Sequence, residues 1–405
     1  MPPPASFTLL KDELARLAYL DSVAALLGWD EQTMLPPGSA GFRAEQSAAL
    51  SEAIHRESTG ERLGELIAAA EAEASALSGR ERAVIREARK EYDRSTRVPA
   101  EFSRRRAAAQ SRSMHTWAKA REAAEFSQFA DALQEQLDLC LEMAELVGED
   151  KTAYDFWIDQ FDPGMTAETI EGVFTALKGD LLPIVEEIVH APVRPDTSKL
   201  VGFPEEKQER FLREVVEKIG FDFNKGRIDR SVHPFCGGSG EDTRMTTRFN
   251  EDLPLSSLFG SIHETGHGLY AQGLLNEHFG NALGTHVGMA AHESQSRMWE
   301  NQIGRSREFW SYWEPRYREL FPEQLAGVSS DELYLAINAV GVSPIRVESD
   351  EVTYNLHIML RFAIEKQLFE GSIRVQDLPE AWNSLSRELL DYTPKNDAEG
   401  VLQDI

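Results

Sequence analysis

The run Leu255-Ser256-Ser257-Leu258-Phe259-Gly260-Ser261-Ile262-His263-Glu264-Thr265-Gly266-His267-Gly268-Leu269-Tyr270-Ala271 carries two signals at once. Leu255, Leu258, Phe259, Ile262 and Leu269 keep helical spacing behind Pro254, so the run predicts a helix. Inside it, His263-Glu264-Thr265-Gly266-His267 has the HExxH pattern. Residues four apart on a helix lie about 40° apart around the axis and about 6 Å along it. Two imidazoles so placed reach one metal ion, and Glu264 points to the side where a reacting water would sit. The motif therefore offers two ligands and a base in one helical turn, the signature of a zinc hydrolase. Gly266 and Gly268 each cost about 1 kcal/mol against alanine in a helix interior. A helix that carries them lets another backbone or a substrate come close.

Two histidines leave a catalytic zinc one protein ligand short. A third histidine of the metzincin kind, HExxHxxGxxH, is excluded, because position 270 is Tyr and position 273 is Gly. Downstream candidates are His278, His286, His292 and Glu293. Glu293 is the strongest, since it opens a second polar helix in His292-Glu293-Ser294-Gln295-Ser296-Arg297-Met298-Trp299-Glu300-Asn301. A carboxylate from a neighbouring antiparallel helix completes a His2Glu set. The competing assignment makes Glu293 a surface acid paired with Arg297 at i+4. His286 and His292 read as supports for the ligands or as structural groups.

Around this centre the chain reads as mainly α. Helical periodicity covers 8–27, 41–75, 79–94, 99–123, 126–147, 167–191, 204–219, 330–339, 350–370 and 376–391. The region 227–250 reads as extended, with Gly237-Gly238-Ser239-Gly240 as a turn and Thr243 to Phe249 as a strand. An edge strand there could hold a substrate backbone by strand addition, or the segment could be a plain hairpin. No repeat or domain-dividing linker is visible, so 1–405 reads as one helical domain.

Composition narrows the class. Among 405 residues, 42 basic and 68 acidic side chains leave a net charge of −26. That balance argues against nucleic acid or an anionic membrane as partner. The basic cluster from Arg80 to Arg112 reads as a solvated helix surface, with an electropositive strip for peptide carboxylates as the alternative. Cys140 and Cys236 form no CxxC pair, the usage of a reducing compartment. With no signal-peptide pattern at Met1-Pro2-Pro3-Pro4-Ala5 and no apolar run of membrane length, a cytoplasmic location is expected.

Several motifs together resemble the carboxypeptidase Taq family of thermostable metallocarboxypeptidases. They are Asp242-Thr243-Arg244-Met245-Thr246 (DxRxT), the HExxH run, His292-Glu293-Ser294-Gln295, Ile345-Arg346-Val347-Glu348-Ser349-Asp350 (IRxxAD, with Ser349 in place of alanine) and Gly400-Val401-Leu402-Gln403-Asp404. Trp29-Asp30-Glu31-Gln32-Thr33 with Pro36-Pro37-Gly38 adds to the likeness near the N-terminus. The resemblance implies zinc held by His263, His267 and Glu293, with Glu264 as general base. Cobalt or manganese are conceivable substitutes. It implies a helical fold like those of neurolysin and angiotensin-converting enzyme, two lobes around a deep central groove, and a small β-sheet near the metal. It also implies a homodimer that removes single residues from peptide C-termini with broad preference. The family's last motif reads GxxQDxHW, whereas this sequence ends at Ile405. The C-terminal part of the family domain is thus expected to be absent.

A carboxypeptidase must recognise a free α-carboxylate, and an arginine fork binds both oxygens. Arg346 is the first choice and Arg244 the second, with Arg297 and Arg361 read as structural ion-pair partners. An ion pair of Arg346 with Glu348 or Asp350 is the competing role. Tyr270 and Tyr354 are candidate oxyanion donors or core tyrosines. His292, Asp242 and Asp350 could support the ligands or touch substrate. The alternative functions are an endo-acting oligopeptidase of the same fold and a metal-holding scaffold of low activity.

Overall fold

The computed structural model describes residues 3–148, 150–346 and 349–403. Val347, Glu348, Asp404 and Ile405, which the motifs above include, lie outside the described residues. The chain divides into two compact units, each drawn from two segments: Met1–Thr96 with Asp196–Ile337, and Arg97–Pro195 with Asn338–Ile405.

The first unit opens with α1 (Ala5–Thr33), α2 (Ala40–Ser58), α3 (Glu61–Ala72) and α4 (Gly79–Arg97). On α3, Leu63, Ile67 and Ala70 are buried at helical spacing and pack with Phe7, Leu10 and Leu17 of α1. The periodic run 41–75 is thus two helices. Thr59 Oγ1 donates to His55 O at 2.7 Å, and extended Gly60 starts α3, so the Ser58-Thr59-Gly60 break overrides the apolar pattern.

The unit's second half carries α9 (Glu205–Ile219), β1 (Gly226–Arg230), β2 (Cys236–Ser239), β3 (Asp242–Thr247), α10 (Pro254–Gly273), α11 (Met289–Arg297), α12 (Arg307–Leu320) and α13 (Ser330–Ile337). Glu205 and Glu206 in the first turn of α9 and Lys218 in the last complement its dipole, and Gly220 at φ 121° stops it. Its buried Phe211, Leu212, Val215 and Val216 share one core with Leu258, Phe259 and Ile262 of α10. Fully burying one such side chain contributes about 1.5–3 kcal/mol, so α10 is held from below by apolar packing.

The sheet has the order β1-β3-β2, with β1 parallel and β2 antiparallel to β3. Two expectations change here. Gly237 to Ser239 are strand, since they pair with Arg244, Thr243 and Asp242, and the chain turns at Gly240 and Glu241. The strand before the helix, β3, is central, so the sheet edges are β1 and β2.

The second unit holds α5 (Ala100–Ala123), α6 (Ala130–Val147), α7 (Ala153–Phe161), α8 (Ala167–His190), α14 (Tyr354–Phe369) and α15 (Leu378–Leu390). Its main core joins Phe126, Phe129, Leu356, Leu360, Trp382 and Leu402. Two helices escaped the periodicity. Helix α7 is short and N-capped by Thr152, whose hydroxyl accepts from Asp155 N–H. Helix α12 is capped by Ser306 in the same way and contains Pro315, which masks it. The run 350–370 becomes helical only from Tyr354, because Asp350 caps the preceding turn by accepting from Val352 and Thr353 N–H at 2.9 and 3.0 Å. No described helix is long and apolar enough to cross a membrane.

Candidate metal centre

The centre is built where α10 crosses α11. A Cβ placed on Gly266 would stand 2.4 Å from Ser296 Cα and 2.6 Å from Gln295 O. With only hydrogen there, the backbone of α11 lies directly on α10. The close approach announced by this glycine is therefore to the chain's own second helix. Gly268 instead accommodates the Phe221 ring and Met245 Sδ. Ser261 Oγ donates to Thr247 Oγ1 at 3.0 Å, which ties α10 to the sheet.

This crossing carries Glu293 to the two histidines. Glu293 Oε2 lies 3.3 Å from His267 Nε2 and 3.6 Å from His263 Nε2. The three donor atoms lie within 4.8 Å of one another. Ligand bonds of about 2.1 Å in tetrahedral geometry separate ligand atoms by about 3.4 Å. The donor types and spacings thus fit a single zinc-like ion.

Both imidazoles turn Nε2 inward because Nδ1 is engaged behind. His263 Nδ1 donates to Glu300 Oε2 at 2.8 Å, and Arg297 Nη1 donates to the same oxygen at 2.8 Å. A carboxylate there fixes the tautomer that leaves the Nε2 lone pair available. His267 Nδ1 meets His292 Nδ1 at 2.6 Å, so one must donate and the other accept. Burial first, then His267 and His286, push the His292 pKa down to about 4. A neutral His292 can accept from His267, which leaves the His267 Nε2 lone pair facing Glu293. The Tyr270 ring lies 4.6 Å from His292 and its hydroxyl accepts from Val287 N–H at 3.3 Å. His286 packs edge-on against His292.

Glu300 was not among the expected site residues. It lies on a π-helical segment, Met298–Ile303, that continues α11. Such wide turns occur often at functional sites. An acid two turns beyond Glu293 was the available signal, but nothing local marks the π turn that sets its phase.

Glu264 is buried, at 8% exposure, and burial raises its carboxyl pKa against the lowering charges of His263 and His267. Burial works the same way on Glu293, yet its His267 hydrogen bond and the charge of His263 hold it below the usual range. One turn of α10 thus holds a carboxyl that takes up a proton readily, beside a carboxylate that stays ionised. Burial pushes the Cys236 thiol of β2 upward, and Glu264 adds to that shift.

The other expected residues have other partners. Arg244 closes its fork on Asp242, at 2.9 and 3.0 Å, and lies over the buried Trp29 ring, 4.2 Å from its centroid. Arg227, its register partner on β1, lies over the same ring. The motif residues Trp29, Asp242 and Arg244 thus join α1 to the sheet. His278 Nε2 lies 3.5 Å from Glu277. In the basic cluster, Arg89, Arg105 and Arg112 pair with Glu71, Glu142 and Glu135.

Arg346, Asp350 and Tyr354 belong to the second unit. Arg346 Nη1 donates to the Tyr354 hydroxyl at 3.0 Å. Asp350 accepts from Thr353 Oγ1 at 2.8 Å and Gly341 N–H at 3.2 Å, besides its two turn bonds. Arg361 donates to His357 O and to Gln403 Oε1.

Known proteins share this arrangement of sequence and fold. Thermostable carboxypeptidase 1 of Thermus thermophilus is 39% identical over 418 residues, covering 100% of this chain and 82% of that protein. Carboxypeptidase 1 of Bacillus subtilis is 35% identical, over 97% of this chain and 79% of its own length. The crystal structure of the M32 carboxypeptidase from Deinococcus radiodurans superposes with a TM-score of 0.94 at 38% identity, over 99% of this chain and 81% of that one. The chain therefore spans about four fifths of these relatives. A sequence model of the carboxypeptidase Taq (M32) metallopeptidases matches residues 9–405. With its fold and paired-helix His-His-Glu centre, the chain belongs to the carboxypeptidase Taq (M32) family and is a metallocarboxypeptidase.

Proposed function

We propose that this protein is a zinc-dependent carboxypeptidase that removes single residues from peptide C-termini with broad preference. One juxtaposition carries the proposal: His263 Nε2 and His267 Nε2 at 3.6 and 3.3 Å from Glu293 Oε2, with buried Glu264 on the same helical turn as the histidines. Those three side chains would hold the ion. When bound, zinc supplies Lewis acidity and lowers the pKa of a water to about 7; cobalt or manganese could supply related chemistry.

The chain's own groups do the rest. Glu264 takes a proton from the attacking water and hands it to the leaving amine. Its raised pKa suits it to hold that proton between the two transfers. Glu300 and His292 keep the histidine rings from rotating. Arg346 takes the substrate α-carboxylate, and its Nη1 bond to Tyr354 steadies the fork. Peptides as substrates, a homodimer and a cytoplasmic location belong to the same reading. The family likeness supports the first two, and the two unpaired cysteines support the third.

The test is a mass-spectrometric time course on one peptide with a free and with an amidated C-terminus, with and without chelator. Stepwise loss of single residues from the free peptide only, stopped by chelator, is the expected result. Internal cleavage of both peptides at equal rate would replace this reading with an endo-acting oligopeptidase.

A further inference from the structure

We propose that Gln403 is a positioning residue for Arg346, the side chain that holds the Arg346 segment in register for carboxylate recognition. The proposal rests on the assignment of Arg346 as the carboxylate group and deepens it. Arg346 lies between α13 and α14, where its own carbonyl accepts from Ser349 N–H at 3.1 Å. A guanidinium fork misplaced by about 1 Å can lose much of what alignment contributes. A contact from outside the segment adds to that local bond.

The Gln403 amide does so with its whole hydrogen-bonding capacity. Its Oε1 accepts from Arg346 N–H at 3.2 Å and from Arg361 Nη2 at 2.8 Å. Its Nε2 donates to Pro344 O at 3.0 Å and to Glu399 O at 2.8 Å. Two donated and two accepted bonds are what an amide offers. Gln403 is buried, at 8% exposure, so each of these bonds is costly to lose. Two of the four go to the Arg346 segment, at Pro344 and Arg346. The other two go to a fixed frame. Arg361 on α14 also donates to His357 O at 2.9 Å and stacks over Trp382 of α15, and Glu399 belongs to the C-terminal turns.

The chemistry also explains why the side chain is an amide. The site presents two carbonyl oxygens and two N–H groups to one planar end group. A carboxylate would meet Pro344 O and Glu399 O with no proton, and an aliphatic chain would make none of the four bonds. None of the described residues around Gln403 is a candidate metal ligand. Its loss should therefore weaken carboxylate binding and leave the ion in place.

The experiment is a double-mutant cycle with Gln403→Ala and Arg346→Ala. It reads KM and kcat on a peptide with a free C-terminus, metal affinity by chelator competition, and thermal unfolding. Gln403→Glu serves as a second variant that keeps volume and the acceptor for Arg361. Each Gln403 variant should raise KM about tenfold, with kcat within about twofold as for loss of uniform binding. Metal affinity should be unchanged. In the Arg346→Ala background the same changes should leave KM where Arg346→Ala alone puts it. An equal rise in KM with and without Arg346, an unchanged KM in the single variants, or a parallel fall in metal affinity overturns the proposal. If Arg346→Ala alone changes neither KM nor the preference for free over amidated ends, the carboxylate assignment of Arg346 fails first, and that outcome is separable from the others.

Discussion

Each imidazole at the metal centre has one nitrogen facing inward and one tethered behind, and the tethers differ. His263 is backed by the Glu300 carboxylate, which Arg297 also bonds, whereas His267 is backed by the neutral ring of His292. A carboxylate raises the basicity of its histidine more than an imidazole does. Glu300→Gln is therefore expected to weaken metal affinity about 10- to 100-fold, measured by chelator competition, although Glu300 is not itself a candidate ligand. Glu264 presents the opposite case. Glu264→Gln should lower kcat by about 10²–10⁴-fold with metal content unchanged by elemental analysis, because the group handles protons and holds no ion. Retained turnover in that variant would remove Glu264 from the mechanism.

At the scale of elements, the decisive event is the contact of α10 with α11. Glycine at 266 lets two backbones touch, and Glu293, one turn from Ser296, then reaches His267. Gly266→Ala should force the helices apart. We expect a loss of about 1–3 kcal/mol from overpacking, together with weaker metal binding, read by thermal unfolding and chelator competition. At Gly260, on the same helix, an added Cβ would meet nothing within 4 Å. Gly260→Ala should stabilise the protein by up to about 1 kcal/mol through helix propensity and leave metal affinity alone. Equal effects at the two positions would show that the crossing does not control the site. The sheet follows similar logic: Arg227 and Arg244, opposite one another on neighbouring strands, share the Trp29 ring and so join α1 to the sheet.

For the whole molecule, metal binding and folding are coupled, because ligands from two helices meet only in the folded state. Zinc at about 100 times its dissociation constant should add about 2.7 kcal/mol to stability. Chelator should lower the thermal midpoint accordingly, and His267→Ala should abolish the zinc-dependent shift; a midpoint indifferent to zinc in the parent chain would contradict the coupling. Much of this molecule was open to reading in one dimension. The helix at 204–219 and the His263–Glu264–His267 constellation follow from spacing along a single helix, where sequence distance is spatial distance. Glu293 was reachable as a candidate because it reads as part of a polar helix, yet Arg297 at i+4 was an equally local partner. The α10–α11 approach, which no periodicity encodes, is what placed Glu293 beside the histidines. The same holds for Glu300 on its π turn, for Gly237 to Ser239 as strand rather than turn, and for Arg227 and Arg244 meeting over the Trp29 ring. Sequence alone determined the helical class, the HExxH helix and the set of groups able to bind a metal and move protons, because those depend on residues within a turn or two. Tertiary structure decided which of those groups meet and what holds them, because contacts between distant segments are selected by packing over the whole core.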